Sequence, residues 1–209
     1  YAVSGHTIGS AWGDLDDDGD LDLFVGNFSH PPAYQDRPQF LRNTGGPDWR
    51  FEDMSADAGL AWQESFASPA LADVDNDGDL DLYFTTVYAG DHSVLYLNEG
   101  GWRFREVAAA SGIATARTYQ AAWADYDGDG DLDLLSGGKL YQNQAAGGSW
   151  LRVKLEGPGS AIGAVARVRV GERTLTRRVE SSTGEGNQNE MVLHFGLGDY
   201  DGFVSVEVT

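Results

Sequence analysis

The chain has 209 residues, 41% of them hydrophobic, and a formal charge of −19. That allows a sizeable core in one or two domains and argues against nucleic acid or an anionic membrane surface as a partner. Cysteine is absent, which removes disulfides and thiol chemistry, and no window approaches the ~18 consecutive apolar residues of a spanning helix, so a soluble chain without membrane insertion is expected.

Tyr1 opens the chain with neither an initiator Met nor a leader pattern, as in a mature or excised fragment. The first acidic nonapeptide, Asp14-Leu-Asp-Asp-Asp-Gly-Asp-Leu-Asp22, follows, and Asn27-Phe28-Ser29 beyond it matches a glycosylation sequon. A segment starting Phe40-Leu-Arg-Asn-Thr-Gly-Gly-Pro-Asp-Trp-Arg-Phe comes next. The second nonapeptide, Asp73-Val-Asp-Asn-Asp-Gly-Asp-Leu-Asp81, is followed by the matching Leu95-Tyr-Leu-Asn-Glu-Gly-Gly-Trp-Arg-Phe. The third, Asp125-Tyr-Asp-Gly-Asp-Gly-Asp-Leu-Asp133, precedes Leu140-Tyr-Gln-Asn, after which the repeat diverges. Apolar, β-prone residues flank each nonapeptide, and the Asn-x-Gly-Gly turns read as hairpin tips. Loop-to-loop spacings of 59 and 52 residues leave room for about four short strands per repeat, the period of propeller blades.

The nonapeptides read as calcium loops. Oxygen ligands at positions 1, 3 and 5 around a tight turn, with Gly at 6 and a carbonyl at 7, suit a hard cation that takes six to eight oxygens. An EF-hand needs a bidentate Glu at position 12, where Val25, Phe84 and Ser136 stand instead, so the ninth Asp must close the shell. The candidate metal residues are Asp14, Asp16, Asp18, Asp20 and Asp22; Asp73, Asp75, Asp77, Asp79 and Asp81; and Asp125, Asp127, Asp129, Asp131 and Asp133. About three Ca2+ ions are expected, bracing hairpins whose carboxylates would otherwise repel. Selection for charge alone would not place Asp at 1, 3, 5 and 9 with Gly at 6 three times over. Loops of this open kind bind at ~10⁻⁴–10⁻³ M, the range of extracellular modules.

On these motifs the chain resembles the FG-GAP/VCBS repeat superfamily, the blade type of integrin α-subunit propellers, whose Asp-rich hairpin binds Ca2+. The resemblance is nearest to the cartilage acidic protein family and its bacterial relatives, in which such blades precede an ASPIC/UnbV domain. Trp150-Leu-Arg-Val-Lys-Leu-Glu-Gly, Ala161-Ile-Gly-Ala-Val-Ala-Arg-Val-Arg-Val, His194-Phe-Gly-Leu-Gly and Val204-Ser-Val-Glu-Val resemble that domain. The resemblance implies an all-β chain: three calcium-binding propeller-type blades over residues 1–148, with loops at 14–22, 73–81 and 125–133, then a small β-rich ASPIC/UnbV-like module over 149–209. Three blades are too few to close a propeller of about seven, so open sheet edges are expected, and open edges invite pairing with another chain.

Trp12 and Trp123 before their loops, and Trp49, Trp102 and Trp150 after the turns, occupy repeat positions and read as blade core, whereas Trp62 has no counterpart and is the candidate surface contact. His6, His30, His92 and His194 lack zinc spacing, and His194 reads as a packed or hydrogen-bonded residue. Arg167 and Arg169 leave one face of a strand, with Arg173, Arg177 and Arg178 close behind. They form either an ordinary solvated face or a basic surface that docks on the acidic repeats of a neighbouring copy. No nucleophile elbow, P-loop or Cys nucleophile is present. The sequence therefore points to an extracellular or cell-surface, non-enzymatic, calcium-binding structural or adhesion protein whose partners are other copies of itself, in a ring or filament, or an extracellular protein or glycan. An integrin- or lectin-like ligand-binding module and an accessory domain of a larger secreted protein are the alternatives.

Overall fold

The computed structural model describes residues 6–28, 37–60, 66–144, 147–184 and 186–209. The Ser29 end of the sequon, His30 and Trp62 lie outside the described residues. The chain is all-β: among the described residues there is one helical turn, α1 (Ser55–Ala58), and every strand pairing is antiparallel. Sheet 1 runs β1 (His6–Gly13), β2 (Asp22–Phe28), β3 (Gln39–Asn43), β4 (Phe51–Asp53). Sheet 2 repeats the pattern with β5 (Pro69–Ala72), β6 (Asp81–Phe84), β7 (Val94–Asn98) and β8 (Phe104–Glu106). Each nonapeptide spans the connection between the first two strands of its sheet, and among the described residues no sheet closes on itself.

Sheet 3 departs from the expected four strands. It contains β9 (Ala121–Ala124), β10 (Asp133–Ser136) and β11 (Lys139–Tyr141) and stops there, because the next strand, β12 (Ser149–Val153), pairs instead with β15 (Leu193–Gly198). The remaining sheet of this C-terminal module is β14–β13–β16, from β13 (Val165–Val170), β14 (Arg173–Arg178) and β16 (Ser205–Val208).

Strand alternation explains the core. Successive side chains leave opposite faces of a strand, and sheet 2 lies between two neighbours, so all four residues of β6 are buried. Leu82 and Phe84 join Phe24, Phe40 and Trp102 between sheets 1 and 2. Tyr83 points the other way, joining Leu95, Trp123 and Leu134 between sheets 2 and 3. Val168, Leu175, Val179 and Phe195 form a separate core in the C-terminal module.

The tryptophans divide along the same line. Trp102 and Trp123 are core residues, as repeat position suggests, but Trp12, Trp49 and Trp150 are 41%, 62% and 41% exposed. Trp102 packs back onto Phe40 of the preceding sheet and Trp123 onto Tyr83. Trp12 and Trp49 belong to sheet 1, which has no preceding sheet among the described residues. Trp150 follows β12 out of sheet 3.

The inner edges of the sheets are not left bare. Gly184 donates its N–H to the Ser10 carbonyl (3.0 Å). Asn187 accepts from the Ala121 N–H (2.8 Å) and donates to the Pro69 carbonyl (3.3 Å). Asn189 accepts from the Trp123 N–H (3.0 Å) and donates to the Leu71 carbonyl (3.1 Å). One segment of the C-terminal module thus binds the edge strands β1, β5 and β9. An amide side chain carries both a donor and an acceptor, so Asn187 and Asn189 each satisfy backbone groups on two sheets at once.

Candidate metal centres

Each loop is built by the same backbone contacts. The position-6 glycines, Gly19, Gly78 and Gly130, have φ of 93°, 98° and 93°, a region open to glycine but costly for other residues. Their N–H groups donate to the position-1 carboxylates Asp14, Asp73 and Asp125 at 3.1, 3.1 and 3.2 Å. Position 4 is also left-handed, at Asp17 (60°), Asn76 (60°) and Gly128 (81°). That explains why this variable position holds only Asp, Asn or Gly, the residue types that tolerate it.

The ninth Asp closes each loop as a double acceptor. One oxygen of Asp22, Asp81 and Asp133 takes the N–H of Leu15, Val74 and Tyr126 within its own loop. The other takes the N–H of Asn43, Asn98 and Asn143, at 2.8 Å in all three. These asparagines then tie the sheets together: Asn98 donates to the Leu15 carbonyl of sheet 1, and Asn143 to the Val74 carbonyl of sheet 2.

The result is three triads whose carboxylate oxygens lie within 4.8 Å of one another: Asp14, Asp16 and Asp22; Asp73, Asp75 and Asp81; Asp125, Asp127 and Asp133. These are positions 1, 3 and 9. Positions 5 and 7 stand outside the triads. Asp18, Asp77 and Asp129 accept the N–H of Asp20, Asp79 and Asp131. The Asp79 carboxylate pairs with Arg173, and that of Asp131 accepts from Asn76 at 2.7 Å. Position 12 lies in β2, β6 and β10, where Val25, Phe84 and Ser136 are strand residues.

The triads are electrostatically costly without a cation. Burial pushes Asp14, Asp22 and Asp73 up to about 7, with neighbouring aspartates adding to the shift. Asp81, enclosed most completely, is raised well above the usual carboxylate range. One oxygen each of Asp14, Asp16 and Asp73 is buried with no hydrogen-bond partner among the described residues. A buried acceptor without a donor is expensive, and a cation among the three carboxylates would satisfy it. The donors are all oxygen, with no nitrogen or sulfur, which fits a hard divalent ion such as Ca2+.

The C-terminal module encloses the second loop. Gly196 donates to Asp73 (2.8 Å) and Gly198 to the Asn76 carbonyl (2.8 Å). Arg177, packed over the Phe195 ring, donates to the Gly78 carbonyl (2.8 Å) and stands 3.7 Å from Asp73. His194 is hydrogen-bonded through Nε2 to the Asn76 side-chain oxygen at 2.6 Å, which bears out its reading as a hydrogen-bonded residue. Arg173 spans loops 1 and 2 through Asp17 and Asp79, and Arg152 reaches Asp125 of loop 3. Arg173 and Arg177 therefore meet acidic loops of their own chain, while Arg167 donates to the Thr209 hydroxyl on the neighbouring-strand side and Arg169 to the Gly171 carbonyl. The acidic loops and the basic strands carry this docking as a charge pattern, but its intramolecular direction is not visible in one dimension.

Comparison with known proteins agrees with this architecture. Residues 14–84 and 85–136 match the FG-GAP-like repeat, and residues 155–209 match ASPIC and UnbV. The chain is 28% identical to mouse cartilage acidic protein 1 over 244 aligned positions and 28% identical to the human protein over 238, covering 98% of this chain and 33% of each relative. The Xenopus tropicalis protein is 29% identical over 229 positions, with the same coverage. The chain spans about a third of the length of these curated relatives. With repeat matches over more than half its length and the second domain following them, the chain belongs to the FG-GAP-like repeat family and carries a C-terminal ASPIC/UnbV domain.

Proposed function

We propose that the chain is an extracellular, non-enzymatic structural or adhesion module in which about three Ca2+ ions brace the loops of an incomplete propeller, each sheet serving as one blade. The observation that carries this reading is the triad geometry: three copies of three converging carboxylates, with orphaned buried oxygens in the first two. Calcium binding would then be folding energy, because the unfolded chain has no such site. Relatives named for cartilage support the extracellular setting. The outer strands β4, β8 and β11 each have a single strand partner, which supports assembly with other chains through sheet edges.

Titration calorimetry and thermal melts of the purified chain test the reading. About three ions should bind, and EDTA should lower Tm by several degrees, in line with the ~0.4–1.4 kcal/mol per site that millimolar Ca2+ supplies at about 1–10 times a Kd of ~10⁻⁴–10⁻³ M. An unchanged Tm in EDTA, together with no binding heat at millimolar Ca2+, would overturn it.

A further inference from the structure

Sheets 1 and 2 both end in a strand that opens on the Phe of a Trp-Arg-Phe sequence, at Trp49-Arg50-Phe51 and Trp102-Arg103-Phe104, the Trp and Arg lying in the turn before it. Between these sheets the second copy fills the outer end of the interface. Phe104 stacks on Phe40, with ring centroids 4.6 Å apart and planes at 17°. Trp102 packs edge-on against the same ring and donates its indole N–H to Asp16 at 3.3 Å.

Among the described residues sheet 3 has no fourth strand, so nothing of this kind comes from it to the next interface. There a groove of about 800 Å³ opens between sheets 2 and 3, lined by Val74, Asp75, Leu95, Leu97, Val107 and Tyr141 among others. Its walls correspond to those of the filled site: Val74, Asp75 and Leu95 hold the repeat positions of Leu15, Asp16 and Phe40. The edge beside this groove is free as well, since among the described residues β11 is paired only on its β10 side.

We propose that this groove binds an extended segment of a partner polypeptide carrying a Trp-x-Phe pattern, which adds to the free edge of β11 as the fourth strand of sheet 3. Backbone hydrogen bonds to β11 supply register and part of the affinity, as in other strand-addition complexes. The Phe ring covers Leu95 as Phe104 covers Phe40, and the Trp indole donates to Asp75 as Trp102 does to Asp16. The site continues an interface that the molecule already forms once, and it shares Asp75 with the second acidic triad.

The probe is a synthetic peptide with the sequence of residues 99–108, Glu-Gly-Gly-Trp-Arg-Phe-Arg-Glu-Val-Ala, titrated into the full chain in calcium-containing buffer. It should bind one to one. Replacing both its aromatic residues with Ala should weaken binding by more than ~10-fold, since a buried aromatic anchor is worth over ~1.4 kcal/mol. Leu97→Glu in the groove should do the same, whereas Leu135→Ser, at a residue 51% exposed and not among those lining the groove, should leave affinity unchanged. No binding at millimolar peptide, or equal binding by the Ala peptide, would overturn the proposal. So would a concentration-dependent oligomer that the peptide dissociates, because the groove would then belong to a second copy.

Discussion

The loops Asp73–Asp81 and Asp125–Asp133 have the same carboxylates at the same positions, yet the fold treats them differently. The first sits in the middle sheet and is closed over by Gly196, Gly198, Arg177 and His194. The second lies in the end sheet, where Tyr126 is 54% exposed and Arg152 with Glu190 is the main cover. Asp81 and Asp133 are equally hidden from direct contact with water. Asp81, however, has protein on every side and its carboxyl is raised well above the usual range, whereas Asp133 lies under a thin layer and is raised less. The motif therefore sets which atoms converge, and the depth of their surroundings sets how costly that convergence is without a neutralising charge.

The sharpest test of this contrast exchanges the ninth Asp. Asp81→Ala strips the Val74 and Asn98 amides of their acceptor in the interior and should cost ~3–5 kcal/mol in urea unfolding, against about half that for Asp133→Ala. Equal costs would break the comparison. Next comes Gly196→Ala, whose new methyl carbon would lie 2.4–2.5 Å from Asn76 backbone atoms and Asp73 Oδ2. It should cost ~2–3 kcal/mol through overpacking and weaken calcium binding at loop 2, leaving the heat of binding at loop 3 intact.

A smaller effect comes from pH. Burial, then Arg177 and Arg152, lowers the His194 imidazole from 6.5 to about 4. A depressed folded-state value means that stability is fully present above pH 6.5 and is lost as pH falls toward 4. The buried aspartates, raised in the folded state, slope the other way when no cation is bound, losing stability as pH rises toward 7. The difference between wild type and His194→Gln isolates the histidine. Wild type should lose ~1–3 kcal/mol relative to the variant between pH 6.5 and 4, and a pH-independent difference would show that His194 is not held neutral. Smallest of all, Arg173→Ala should cost under ~1 kcal/mol, because its ion pairs to Asp17 and Asp79 are half-exposed and screened. A larger loss, read from urea midpoints, would show that loops 1 and 2 are cross-braced more strongly than loop 3.

Much of the loop geometry was legible in one dimension because the acidic pattern that builds it is local. Gly at position 6, Asp at 1, 3 and 9 and β-prone flanks are requirements within nine residues, and the missing twelfth-position Glu is visible by counting. Position 4 carried a further signal in its Asp, Asn and Gly, the residues that tolerate left-handed backbone. The expectation that repeat-equivalent tryptophans share one fate failed for Trp12, Trp49 and Trp150, because burial depends on a neighbouring sheet and not on position within a repeat. The amides of Asn187 and Asn189 could not be read as sheet-edge partners, since the strands they bind lie 66 to 118 residues away.

The sequence by itself determined the three acidic loops, their hairpin setting, the all-β class and the family, since each rests on short-range spacing or on repetition. Tertiary structure alone decided that Arg173 and Arg177 dock on the chain's own loops. It also decided that the C-terminal module binds the inner strands, and that sheet 3 lacks the strand that would fill its groove. Those outcomes turn on which distant surfaces meet, and charge or hydrophobicity along a chain specifies what a surface attracts without specifying which surface arrives.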